Sequence, residues 1–225
     1  DESKFSINKN SQEVICQILD SNPLVAEFHL NGKLIGHARL NGLGEHFART
    51  STAAVAASIA LGVSHRSIFK GLETFKPIKG RGYFHHLLNG AIVVDDSYNA
   101  NPDSVYAAIN TLLELKGRKA MVLGDMAELG VESDLIHQEI LNIATKHLDE
   151  VFLFGKYFSL ASQKLKCGKP YSSGKKLHED VKAWLNYQVS NKNSSVLWVK
   201  GSRSSNLDKL VDGLIKAEYE VVRCY

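Results

Sequence analysis

The stretch VVDDSYNANPDS (residues 93–104) joins a short apolar run to a string of hydrogen-bonding side chains. The apolar residues leading into it are continuous, which is typical of a strand buried on both faces of a parallel sheet. Asn101 is a favourable helix N-cap and Pro102 a favourable first helical residue, so a helix is predicted to follow. These assignments leave Asp95, Asp96 and Asn99 unexplained, which makes these three side chains candidates for a binding site.

The alternation of apolar runs and amphipathic segments continues to the end of the chain. Further runs lie at residues 119–125, 150–155, 194–201 and 219–225, and each is predicted to be a strand. Apolar residues at helical spacing between the runs predict four helices, marked by Val105, Ile109, Leu112 and Leu113; by Leu135, Ile136, Ile140, Leu141 and Ile143; by Leu177, Val181 and Leu185; and by Leu207, Leu210, Val211 and Leu214. This pattern predicts an α/β domain with a Rossmann-like, mostly parallel sheet over residues 81–225.

The first 80 residues have a different pattern. Two apolar runs flank Asn31-Gly32, which is a strong hairpin signal. Thr50 or Ser51 is predicted to cap one helix and Ser64 a second. The segment KPIKGRG (residues 76–82) concentrates glycine, proline and cations, and it predicts a hinge. We therefore expect two domains, residues 1–80 and 81–225.

The composition argues against several classes of protein. The net charge is +3, from 27 basic and 24 acidic residues, which is too small to indicate a nucleic-acid partner or a membrane surface. The longest apolar run, residues 53–63, is shorter than the roughly 20 residues that cross a bilayer. Cys16, Cys167 and Cys224 are an odd number without metal-ligand spacing, which indicates reduced thiols. We expect a cytoplasmic protein that neither binds nucleic acid nor inserts into a membrane.

Three polar segments follow predicted strands: DDSYNANPDS (95–104), GDMAELG (124–130) and KGSRSSN (200–206). The carboxyl ends of parallel strands share one rim, where ligands bind, so these segments are expected to converge. Lys200 and Arg203 lie near a predicted helix start, where the dipole disfavours cations unless an anion is bound. Structural explanations stay open, because Ser204 or Ser205 can cap that helix and Glu128 can be a first-turn charge.

Several well-known site motifs are missing from these 225 residues. The sequence contains no G-x-x-x-x-G-K-[ST] loop, no G-x-G-x-x-G after a strand and no G-x-S-x-G. The histidines, among them His46, His85, His86 and His137, lack metal-ligand spacing, so no metal site is predicted.

The segments DDSYNANPDS, LGDMAELG and VKGSRS, in this order and on this α/β frame, resemble the C-terminal half of a Mur ligase. The resemblance extends from about residue 24 to the end. It implies that residues 1–80 are the tail of a P-loop-type central domain and residues 81–225 a Rossmann-like C-terminal ligase domain. Since the chain does not begin with Met, we expect a truncated or processed chain. The ATP-binding loop and most residues that hold Mg²⁺ would lie upstream, which leaves these 225 residues inactive by themselves.

The resemblance also implies an activity and site residues. It points to the members of the family that use ATP and an acyl phosphate to join D-Ala-D-Ala to UDP-MurNAc-tripeptide, as cytoplasmic monomers in peptidoglycan synthesis. His46, Arg81 and Asp96 would contact the nucleotide. The dipeptide site would be lined by Tyr98, Asn99, Asn101, Lys200, Ser202 and Arg203.

The sequence departs from the family in one place. The family pattern G-x-H-N-x-x-N corresponds here to GEHFART (residues 44–50), with Phe47 and Thr50 where asparagines help to hold adenine. We expect altered adenine binding, with Phe47 stacking on the base, or a divergent enzyme. Two alternatives stay open: another ligase of the same fold, such as a folylpolyglutamate synthase, and an α/β binding domain without catalysis.

Overall fold

The structure is a computed structural model that describes residues 4–9, 12–21, 23–42 and 44–222. The chain divides between Pro77 and Ile78 into two compact units. No helix in the described ranges combines the length and the apolar character that a membrane span needs.

The first unit is a four-stranded antiparallel sheet with two helices. Its strands pair in the order β1-β2-β3-β4. The elements are β1 (Lys4–Lys9), β2 (Gln12–Ser21), β3 (Leu24–Leu30), β4 (Lys33–Arg39), α1 (Glu45–Ala60) and α2 (His65–Thr74). Asn31 and Gly32 both have positive φ, 50° and 77°, as a tight hairpin turn requires, so the predicted hairpin is confirmed. Ser64 caps α2 as predicted, because its Oγ accepts the Ser67 N–H at 3.3 Å.

The predicted start of α1 is wrong. The helix begins at Glu45, directly after Gly44 with φ 74°, so Thr50 and Ser51 lie inside it. Gly44 adopts the left-handed conformation that the chain needs to enter the helix, and Glu45 places a negative charge at its positive end. The Thr50 hydroxyl donates to the His46 carbonyl at 2.9 Å, one turn back, instead of capping a helix.

The second unit contains a six-stranded sheet in the order β5-β6-β10-β7-β8-β9. Only the β5–β6 pair is antiparallel, and the other four pairs are parallel. The strands are β5 (Tyr83–His86), β6 (Ile92–Asp96), β7 (Arg118–Gly124), β8 (Glu150–Phe154), β9 (Lys169–Tyr171) and β10 (Ser195–Lys200). The helices are α3 (Pro102–Glu114), α4 (Ser133–His147), α5 (Lys156–Leu165), α6 (Gly174–Ser190) and α7 (Asp208–Val222), with 3-10 turns at Gly130–Glu132 and Arg203–Ser205. The predicted α/β fold with a mostly parallel sheet is confirmed.

Helices cover both faces of this sheet. On one face, α6 and α7 pack against alternate strand residues in a single buried cluster that includes Val93, Val122 and Leu197. The intervening residues, such as Met121 and Leu153, are also fully buried and point to the other face, where α3, α4 and α5 contact the strands. Burial on both faces explains why the strands appear in the sequence as continuous apolar runs.

Two predictions about the end of the chain are wrong. Residues 219–222 continue α7 instead of forming a strand, and residues 223–225 lie outside the described part of the chain. Ser204 and Ser205 do not cap α7, because they form a 3-10 turn followed by Asn206 at φ 49°. Adding a residue to an existing helix is far easier than nucleating a new element, so the β-branched residues at this end extend the helix. Neither α5, which has 10 residues, nor β9, which has three, was predicted from the sequence.

Candidate functional site

Three adjacent strands of the second unit end at one rim. Strand β10 lies between β6 and β7, and Lys200 is level with both Asp96 and Leu123. The segments 95–101, 124–130 and 200–206 therefore emerge side by side, and we call them together the carboxyl rim. The convergence of these segments agrees with the expectation for a parallel sheet.

Asp96 and Lys200 form a largely buried ion pair at the centre of the carboxyl rim. The Lys200 ammonium donates to Asp96 Oδ2 at 2.8 Å and to the Asn99 carbonyl at 3.0 Å. The Trp198 indole N–H donates to the same Asp96 oxygen at 3.3 Å. The exposed fraction is 3% for the Lys200 side chain and 20% for that of Asp96. No residue in the described ranges donates a hydrogen bond to Asp96 Oδ1, which leaves this oxygen as an acceptor.

Asp95 has a structural role that its neighbour does not share. Its carboxylate is fully buried and accepts three hydrogen bonds. The Gly80 N–H donates to Oδ2 at 2.9 Å, and the Ser97 hydroxyl and N–H donate to Oδ1 at 2.6 and 3.3 Å. The Asp95 carbonyl accepts the Gly82 N–H at 2.9 Å. Asp95 therefore fixes the segment before β5 to the end of β6.

Arg81 and Tyr98 pack against each other beside the hydrogen bonds of Asp95. The guanidinium carbon of Arg81 lies 4.2 Å from the centroid of the Tyr98 ring, which is a cation–π contact. Gly80 has φ 83°, and a Cβ there would lie 3.1 Å from the Cβ of Tyr98, so any other residue would be strained at this position. The backbone beneath this contact is therefore closely packed, and Arg81 presents its cation at the surface.

Asn101 caps α3. Its side-chain oxygen accepts the Ser104 N–H at 2.8 Å, and the Ser104 hydroxyl lies 3.1 Å from the Asn101 N–H, which completes a capping box. The cap thus accounts for the side-chain oxygen of Asn101, and the backbone carbonyl accepts from the Ser104 hydroxyl and the Val105 N–H, while the residue itself is exposed at the rim.

Asn101→Ala is expected to lower the free energy of unfolding of the second unit by about 1 kcal/mol, because the Ser104 amide loses its cap. Asn101→Ser should retain most of the stability, since serine caps nearly as well. Urea unfolding of the two variants checks this, and equal losses would show that the cap is not what Asn101 contributes.

Ser202 and Arg203 occupy different environments. Ser202 is buried, its N–H donates to the Asp125 carbonyl at 3.1 Å, and its hydroxyl lies 2.9 Å from that of Ser204. Arg203 donates to Asp208 Oδ2 at 3.0 Å, but its side chain is 62% exposed. Ser202 supports the carboxyl rim, whereas Arg203 offers it a solvent-facing cation.

Asp125 was not predicted to be important, yet it joins three segments. Its two carboxylate oxygens accept the Tyr157 and Phe158 N–H groups, each at 3.0 Å, and so cap α5. Gly155 approaches so closely that any Cβ would collide with the Asp125 carboxylate. Because α5 lies more than thirty residues away and was not predicted, no local signal could have revealed this role.

His46 lies in the first unit, exposed in the first turn of α1. The neighbouring Phe47 packs on Phe75, with ring centroids 6.0 Å apart, and lies against Gly42. One side of the Phe47 ring is therefore used in the core of this unit. The nucleotide contacts of His46 and Phe47 stay predictions.

The described side chains do not supply a metal site. In the described ranges no group of three or more His, Cys, Asp or Glu residues could hold an ion. Both oxygens of Asp95 accept hydrogen bonds, and Asp96 Oδ2 is paired with a lysine. The residues present do not fit Mg²⁺, and no step of the chemistry is derived through this ion.

Comparison with known protein families gives a match that includes most of the carboxyl rim. The sequence model of the family described as "Mur ligase, glutamate ligase domain" matches residues 80–203. This range includes the first two rim segments in full and the third up to residue 203. The chain belongs to the Mur ligase family.

Within the Mur ligase family, the chain is similar to several individual proteins. UDP-N-acetylmuramoyl-tripeptide–D-alanyl-D-alanine ligase of Escherichia coli is 32% identical over 172 residues, which are 76% of this chain and 37% of that protein. The ligase of the same name from Buchnera aphidicola subsp. Baizongia pistaciae is 33% identical over 216 residues, 94% of this chain and 45% of that one. A crystal structure of MurF from Acinetobacter baumannii has a TM-score of 0.77 and 30% identity, and covers 95% of this chain and 45% of its own. The chain thus spans less than half the length of these relatives.

Proposed function

We propose that this chain is the C-terminal part of an ATP-dependent ligase that joins D-Ala-D-Ala to UDP-MurNAc-tripeptide in the cytoplasm. The observation that carries the proposal is that relatives at 32–33% identity bear this ligase's name. Residues 1–80 would belong to the ATP-binding central domain and residues 81–225 would be the C-terminal ligase domain. The protein would act as a monomer.

The chemistry requires activation of a carboxylate. A carboxylate is a poor electrophile, so the γ-phosphoryl group of ATP is transferred to its oxygen, which gives an acyl phosphate and ADP. The deprotonated amine of D-Ala-D-Ala then attacks the carbonyl carbon, and phosphate leaves as the amide forms. Negative charge develops on the phosphoryl and tetrahedral oxygens, so fixed cations and N–H donors supply the stabilisation. Mg²⁺ would be held mostly by residues outside this chain.

The nucleotide contacts are proposed for Arg81, Asp96 and His46. The Arg81 cation suits a phosphate, and its contact with Tyr98 favours a fixed orientation. Asp96 Oδ1 is a carboxylate oxygen to which no described residue donates, and it can accept a hydrogen bond from a ribose hydroxyl. Lys200 holds the other Asp96 oxygen and thereby aims the carboxylate.

The dipeptide site is proposed to lie on the same rim. The terminal carboxylate of D-Ala-D-Ala needs a cation, and Arg203 presents an exposed guanidinium there. Tyr98, Asn99, Asn101 and Ser202 would line the site, and Lys200 would act from beneath it through the Asn99 carbonyl.

The names of the relatives favour this function over the two alternatives. Another ligase of the same fold would bind a different amine, such as glutamate, at the rim. A binding domain without catalysis would not need the oriented carboxylate and cations. Both alternatives predict no reaction with D-Ala-D-Ala.

A coupled assay tests the proposal. The complete protein that contains this chain, given ATP, UDP-MurNAc-tripeptide and D-Ala-D-Ala, is expected to release one phosphate for each UDP-MurNAc-pentapeptide formed. The purified 225-residue chain should form none, because its sequence has no phosphate-binding loop. Phosphate release without the pentapeptide, or ligation by the 225 residues alone, would contradict the proposal.

A further inference from the structure

His137, on α4, lies fully buried beneath segment 124–130 of the carboxyl rim. Its Nδ1 lies 2.6 Å from the Ser133 carbonyl oxygen, and its Nε2 lies 3.0 Å from the Met126 backbone nitrogen. The ring is stacked on Tyr157 with centroids 5.2 Å apart, and it forms a T-shaped pair with Phe158 with centroids 4.7 Å apart. The imidazole is therefore held at both nitrogens and packed against two aromatic rings.

These contacts dictate the protonation of the ring. A carbonyl oxygen can only accept, so Nδ1 must carry the proton and donate it to Ser133. A backbone N–H can only donate, so Nε2 must be bare and accept the Met126 hydrogen. The structure therefore requires the neutral Nδ1–H tautomer, and a second proton on Nε2 would face the Met126 N–H directly.

The hydrogen bonds of His137 connect to residues at the carboxyl rim. Met126 follows Asp125, whose carbonyl accepts the Ser202 N–H at 3.1 Å and whose carboxylate caps α5. We propose that neutral His137 is a positioning residue that holds segment 124–130 against segment 200–206, and that acid releases this hold. The importance of the hold for ligation rests on the proposed function, whereas the hold itself does not.

The surroundings of the ring determine the direction of its pH dependence. Burial, the largest effect, lowers the pKa of His137 below the ordinary 6.5, and it outweighs the opposing effects of the Ser133 carbonyl and of the Asp125 and Asp134 carboxylates. Helix α5 contributes Tyr157, whose ring has the Lys156 ammonium 5.8 Å from its centroid. Between the lowered pKa and about 6.5 the unfolded chain binds more protons, so stability rises with pH in that window. Above it the contribution is complete.

Nuclear magnetic resonance of the 225-residue chain tests the tautomer without any variant. Long-range ¹H–¹⁵N spectra at pH 7.5 are expected to show a protonated Nδ1 and a bare Nε2 for His137. On acidification the ring should titrate below pH 6.5, and the Met126 and Ser202 amide signals should shift along the same curve. An Nε2–H tautomer, or amide signals that stay constant through the ring transition, would overturn the proposal.

His137→Phe tests the hold by hydrogen exchange, because phenylalanine keeps an aromatic ring against Tyr157 and Phe158 and removes both nitrogens. The Met126 amide is expected to exchange at least about tenfold faster. His147→Phe, at an exposed position on the same helix, should leave that rate unchanged. Unchanged exchange in His137→Phe would overturn the proposal. If this variant loses protection throughout the sheet, the wild-type titration decides, and neither measurement depends on ligase activity.

Discussion

Asp96→Ala is expected to lower the free energy of unfolding of the second unit by about 3 kcal/mol. The substitution leaves the Lys200 ammonium buried, with the Asn99 carbonyl as its remaining partner, and an unpaired buried charge is among the most damaging defects in a protein. Both tryptophans of the chain, Trp184 and Trp198, lie in this unit, so tryptophan fluorescence in a urea titration follows its unfolding selectively.

A double-mutant cycle separates the ion pair from other effects of Asp96→Ala. Lys200→Met should destabilise less, about 1–2 kcal/mol, because the Asp96 carboxylate left behind is partly exposed and retains the Trp198 donor. The double variant should be more stable than Asp96→Ala alone, since no buried charge remains. Lys169→Met is the matched control: it removes a 56% exposed lysine paired with Glu150 and should change stability by about 0–1 kcal/mol. Additive losses in the double variant would contradict the proposed coupling.

Asp95→Asn is expected to be as damaging as Asp95→Ala, about 2–3 kcal/mol, even though asparagine has the same shape. Both carboxylate oxygens of Asp95 accept from backbone N–H groups, of Gly80 and of Ser97. An amide has one oxygen, so in either orientation its NH₂ group faces one of these donors. The same fluorescence-detected urea titration measures the loss.

Asp103→Asn is the control for Asp95→Asn, because Asp103 is exposed in the first turn of α3 and should tolerate the change. An Asp95→Asn variant with the stability of the wild type would contradict the buried, donor-only environment described for this carboxylate.

The parts of the fold that local chemistry determines could be predicted. A continuous apolar run forms β6 because it is buried on both faces, and Asn101-Pro102 starts α3 because the cap and the ring act within one turn. The last strand was predicted wrongly because the same β-branched residues can extend a helix that is already formed.

The roles at the site depend on partners that are far away in the sequence. Asp95 and Asp96 are equivalent as a sequence pattern, yet one is bound by Gly80 and the other by Lys200, which is 104 residues further on. Lys200 was predicted to line the dipeptide site; its ammonium is bonded to Asp96 and to the Asn99 carbonyl, and its role toward the dipeptide stays a prediction. The roles of Asp125 and His137 were not predicted, because Asp125 contacts α5 and His137 contacts segment 124–130. Neither contact corresponds to a local sequence motif.

The choice of amine tests the account most directly. With the complete protein, ATP and UDP-MurNAc-tripeptide held constant, kcat/KM is measured by phosphate release for D-Ala-D-Ala, D-alanine, D-glutamate and L-glutamate. We expect D-Ala-D-Ala to be preferred by at least about a hundredfold, because a single amino acid cannot fill the dipeptide site and place its carboxylate on a rim cation at the same time. A preference for glutamate or for a single alanine would contradict the assignment of this chain to a D-Ala-D-Ala-adding ligase.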